Sequence, residues 1–144
     1  MADPAPLLRV YLDVTGDFDP QEFGVSVGLE PDRLRRRGER DAARVIPRCD
    51  SWSMSVPERH EWDLERVVEE LLLRLEGYED RIAGAVQARD LSVFLRVVAS
   101  WDPQTTSSPA VTLSAGQMDR LSRLGASLDV DLYPLCSGEP DAVS

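Results

Sequence analysis

Asp129 and Asp131 stand two apart in the alternating stretch Leu128-Asp129-Val130-Asp131-Leu132. A strand there puts both carboxylates on one side. Together with Asp13 they could ligate a cation or divide the roles of acid and base; otherwise they form a solvated polar face. The run Arg33-Leu34-Arg35-Arg36-Arg37 could grip a phosphate or carboxylate through paired guanidinium N–H groups. Its expected anion contacts are Arg35, Arg36 and Arg37, with pairing to the chain's own acids as the alternative. His60 is the single histidine and has only Glu58 and Glu61 nearby. Metal centres draw on three or four ligands, so a surface histidine and no metal site are expected. Cys49 and Cys136 have no CxxC spacing, and free thiols in a reducing compartment are the expected state. Neither phosphate-cradling glycine motifs nor a nucleophile elbow occur in the sequence. No catalytic residue and no cofactor is therefore assigned, and the expected class is non-enzymatic.

The elements that would position these residues can be read from periodicity. Leu8, Val10, Leu12 and Val14 alternate with Arg9, Tyr11 and Asp13, which predicts a half-buried strand. Asp19-Pro20-Gln21-Glu22 then starts a short helix, and Gly28 ends it. The Arg-rich segment that follows reads as a loop with at most a helical turn. Residues 43 to 56 read as extended structure broken near Pro47, with Trp52, Met54 and Val56 on one face and Ser51, Ser53 and Ser55 on the other. Leu64, Val67, Val68, Leu71, Leu72 and Leu75 follow the spacing of an amphipathic helix, capped by Asp63 and stopped at Gly77. A second short helix carries Tyr78, Ile82, Ala85 and Val86.

Residues 91 to 101 form the longest predicted strand. A polar turn leads from it to a shorter strand around Ala110 to Leu113, so the pair reads as a hairpin. Ser114-Ala115-Gly116-Gln117 is a capping box for a helix with Met118, Leu121 and Leu124 on its apolar side. The last strand sets Leu128, Val130 and Leu132 toward the core, and the tail after Pro134 is expected to fray. Alternating strands with separate helices predict an α+β two-layer sandwich. Its sheet is mostly antiparallel with helices on one face, in a ferredoxin-like topology with internal duplication. One domain, 1–144, is expected, with its core at about 7–133.

The chain has 144 residues, 42% hydrophobic and 29% charged, with a formal net charge of −10. All 16 basic residues are arginine. Seven of them lie between residues 33 and 48, which leaves the remainder strongly acidic. Such a balance disfavours nucleic acid and suits a basic protein partner or plain solubility. No run approaches the roughly 20 apolar residues of a membrane span. The opening Met1-Ala2-Asp3-Pro4-Ala5-Pro6 is not built like a secretory signal, so a cytoplasmic protein is expected.

The opening YLDVTGDFDPQEF with GLEPDRL, the later SWSMSV, and the closing LSAGQMDRLSRLGASLDVDLY resemble domain of unknown function family 4279. The matching positions at the start are Gly16, Asp17, Asp19, Pro20, Gly28, Leu29 and Pro31, and the likeness runs over about residues 7 to 133. The resemblance implies a small bacterial domain without assigned activity, of a kind associated with stand-alone partner-binding or immunity-type proteins. It brings no cofactor and no catalytic residue.

The sheet face turned away from the helices would display Arg9, Tyr11, Asp13, Ser51, Ser53, Ser55, Arg96, Asp129, Asp131 and Tyr133, with Phe94 and Val98 among them. Aromatic, arginine and aliphatic groups together on a face suit contact rather than water. Three readings follow. The first is a non-catalytic protein-binding module, most concretely an immunity-type inhibitor of a basic toxin or enzyme. The second is a binder of, or enzyme for, a small polar molecule, which requires a concave surface. The third is a structural homodimer through Phe94 and Val98.

Overall fold

The structure is a computed structural model that describes residues 5–38 and 49–135. Six strands and four helices occur among them, in the order β1 (Leu7–Gly16), α1 (Pro20–Val27), β2 (Arg33–Arg35), β3 (Asp50–Ser55), β4 (Arg59–His60), α2 (Leu64–Leu75), α3 (Glu79–Arg89), β5 (Ser92–Trp101), α4 (Ala115–Arg123) and β6 (Ala126–Pro134). The sheet runs β2-β3-β1-β5-β6, and β4 adds to β1. Every pair is antiparallel except β5 with β6. The α+β reading holds, with a mostly antiparallel open sheet.

Alternation decides which face is apolar. Val10, Leu12, Val14, Trp52, Met54, Leu95 and Val97 point to one side and are fully or almost fully buried there. Phe23 and Val27 of α1, the leucine stripe of α2, Ile82 of α3, and Leu121 and Leu124 at α4 join them in one cluster. The helices thus cover that face, and their caps are those the sequence predicts. Asp19 accepts from Gln21 and Glu22 N–H, Asp63 from Arg66 N–H, and Ser114 exchanges bonds with Gln117. Gly24 lets α1 press on β3. A Cβ at that position would lie 3.1 Å from both the Leu29 carbonyl oxygen and Trp52 Nε1.

Four expectations change. Arg33–Arg35 is a strand, not a loop: its Arg-Leu-Arg alternation pairs with Ser53, Trp52 and Ser51 of β3. Residues 110–113 are irregular, and no hairpin forms. β6 takes the place beside β5 instead, and a parallel pair needs a crossover, which here is residues 102–125 with α4 in it. Met118 is 53% exposed instead of packed. Leu128 and Leu132, expected in the core, are 50% and 45% exposed because β6 is the last strand of the sheet among the described residues. Residues 43–48 of the predicted extended stretch, the frayed tail from Cys136 onward, and residues 1–4 lie outside the described residues.

Asp32 clips the sheet to α2. Its carboxylate accepts the Ser55 N–H at 2.7 Å and holds Arg74, which also donates to the Ser55 carbonyl. Burial pushes this carboxyl up, but the hydrogen bonds from Arg74 and Ser55 outweigh it and hold the group below its ordinary value. A lowered folded-state value contributes stability that is present above the unfolded value, about pH 4, and is lost as pH falls through the folded one. Asp32→Asn should therefore lower the thermal midpoint at neutral pH, and the effect should shrink progressively as pH falls below the unfolded value of about 4, as followed by circular dichroism across a pH series.

Candidate functional site on the open sheet face

The face opposite the helices is built by register. Asp13 lies across from Ser53 on one side and Phe94 on the other, and Tyr11 lies across from Ser55 and Arg96. Arg96 is level with Asp129, Val98 with Asp131, and Ser100 with Tyr133. Arg33 and Arg35 extend the same face beyond Ser53 and Ser51. The structure therefore gathers every sheet residue predicted for the site onto one surface.

Its centre is a fixed ion cluster. Arg96 donates from Nε to Asp13 Oδ2 at 2.8 Å and from Nη1 to Asp129 Oδ2. Its guanidinium also lies over the Phe94 ring, 4.4 Å from the centroid. Asp13 accepts a further bond from Ser53 Oγ at 2.9 Å and is only 8% exposed. Burial lowers the affinity of Arg96 for its proton, but the bonds to Asp13 and Asp129 outweigh this, so the guanidinium is held more firmly charged than usual. Tyr11 lies under Arg9, whose guanidinium is 5.0 Å from the ring centroid. Burial pushes the Tyr11 hydroxyl up, so it stays protonated and can donate. Phe94 and Val98 are half-buried on this polar side, and Tyr133 is exposed at its rim.

Beside the cluster the face is concave. Arg9, Tyr11, Asp13, Arg33, Arg35 and the serines of β3 line a hollow of about 520 Å³, together with Pro57 and Glu58. The arginine run is divided rather than gathered. Arg35 reaches the hollow, Arg36 pairs with Asp19 at 3.2 Å and bonds Gln21, and the backbone N–H of Arg37 donates to Asp50. Reading the run as a loop missed Arg33 as a member of the face. The signal was the alternation around Leu34, hidden by the density of charge.

The carboxylates do not form a cation site, because Arg96 occupies the space between Asp13 and Asp129. Among the described residues no three histidine, cysteine, aspartate or glutamate side chains converge. His60 lies on β4, where its Nδ1 is 2.8 Å from the Ala5 carbonyl oxygen, and Cys49 is half-buried. No helix among the described residues is long and apolar enough to cross a membrane.

A family model described as a domain of unknown function, DUF4279, matches residues 6–135, nearly the whole chain. No curated protein and no solved structure matches it.

Proposed function

Because the chain belongs to the DUF4279 family, whose description assigns no activity, we propose from its own geometry that it is a non-catalytic protein-binding module. Its most concrete form is an immunity-type inhibitor that binds and neutralises a basic toxin or enzyme. The observation that carries this reading is the Arg96 cluster: arginine clamped by two carboxylates over Phe94, at the centre of an open face with Tyr133 at its rim. Arginine and aromatic residues dominate binding hot spots. A surface already held in place by ion pairs loses little side-chain freedom on association. Asp131 stands on the same face without a salt bridge among the described residues, and the chain carries a net −10. Such a field speeds the approach of a basic partner.

The test is titration of a basic protein recovered in equal amount with the tagged chain. Asp131→Arg should slow association roughly tenfold at low salt, with the difference shrinking as salt rises. An unchanged association rate would remove the sheet face from the reading.

A second reading rests on the hollow. Its volume falls within the usual range of small-molecule sites, and its arginines and serines suit a carboxylate or phosphate. Thermal stabilisation by a di- or tricarboxylate or a sugar phosphate, lost in Arg9→Ala, would favour it over a protein partner.

A further inference from the structure

Among the described residues the sheet ends on β6, and we propose that this edge accepts an added strand from the protein partner, an extended segment that alternates apolar and basic side chains. The inference rests on the protein-binding reading and extends it from the face to the sheet edge, where the leucines of β6 take part. β6 is nine residues long and pairs only with β5 among the described residues, whereas the opposite edge, β2, is three residues long. A long edge with unpaired backbone groups is a template for strand addition.

The side chains specify the occupant. On the helix side, Leu128 lies level with buried Leu95, and Leu132 with buried Ala99, yet both leucines are half exposed. Met118 of α4 stands exposed nearby, and Leu95, Leu113, Met118, Leu121 and Leu128 line a groove of about 330 Å³. Apolar side chains of an added strand would enter it. On the other side the strand would meet Asp131, which has no salt bridge among the described residues, and Asp129, whose carboxylate is already shared with Arg96, so the free charge at Asp131 asks for arginine or lysine at the alternating positions. A second copy does not meet this demand. Antiparallel pairing of two β6 strands about Val130 sets Asp129 of one copy against Asp131 of the other, and like charges directly opposite are unfavourable.

The probe is a labelled, capped peptide of about eight residues that alternates valine and arginine, long enough to span most of an edge strand. It is compared with the same peptide N-methylated on alternate residues, which removes edge donors, and with a block peptide of equal composition. The alternating peptide should bind roughly tenfold or more tightly than either control and should slow amide hydrogen exchange across residues 126–134. Leu128→Lys and Leu132→Lys change exposed side chains and should abolish that preference with the thermal midpoint unchanged.

Equal binding of all three peptides would mean attraction by net charge alone and would overturn the proposal. So would absence of binding by the alternating peptide, protection elsewhere than β6, or a dimer in light scattering that Leu132→Lys dissolves. The two surfaces fail separately. If Asp131→Arg disrupts the native complex while both lysine variants leave it intact, the sheet face stands and the edge falls. Peptide addition without any native partner gives the reverse.

Discussion

Trp52→Ala is expected to destabilise the fold by about 3–5 kcal/mol, the largest effect of any single truncation considered. Trp52 is fully buried at the crossing of α1, β2 and β3. It meets Phe23 edge to face at 5.1 Å, and Phe23 meets Phe18 in the same way at 5.6 Å. Its ring also backs Gly24, where a Cβ would lie 3.1 Å from the indole Nε1. Alanine would leave a cavity that the sheet cannot close, since Met54 and Val14 are held by their own registers. A domain of this size has only about 5–15 kcal/mol of stability, so urea denaturation should show a large drop in midpoint. Trp52→Phe is the control. The indole Nε1 is buried with no hydrogen-bond partner among the described residues. Phenylalanine loses ring volume but removes that unsatisfied donor, and the two effects oppose. A net cost within about 1 kcal/mol is expected. A loss as large as that of alanine would mean that the N–H has a partner in solution.

Arg96→Met should cost about 2–3 kcal/mol, because it leaves Asp13 buried without its cation. The estimate lies below the range for a fully buried pair, since Arg96 and Asp129 keep side-chain exposures of 23% and 36%. Methionine preserves most of the stem over Phe94 and removes the charge. Adding Asp13→Asn should recover most of the loss: the amide oxygen can still accept from Ser53 Oγ, and the only carboxylate left without its cation is the more exposed Asp129. The double-mutant cycle then reads the coupling directly. Additive losses would mean that the two groups do not act as a pair. The same cycle separates the roles of the cluster. If the double variant is stable and no longer binds the basic partner, the clamp serves recognition as well as folding.

Local patterns determined most of the architecture. The period-two alternation of residues 7–14, the leucine stripe of residues 64–75, and the three acceptor-capped helix starts each answer to forces between near neighbours: which face turns from water, and which side chain satisfies a free N–H. The same alternation placed Arg96, Asp13 and the aspartates of β6 on the polar face before any pairing was known. It could not say which strands are neighbours, because partner choice depends on contacts between residues far apart in the chain. Only the tertiary structure set Arg96, 83 positions from Asp13, within bonding distance of it and turned a row of charges into a clamp. Strand order also decided the fate of Leu128 and Leu132. Their alternation marks them as apolar on one side, as it does Val10 and Leu12, but β6 ends the sheet while β1 lies at its centre. An apolar stripe is buried only when something lies over it, and at the edge of this sheet the described residues leave it half open.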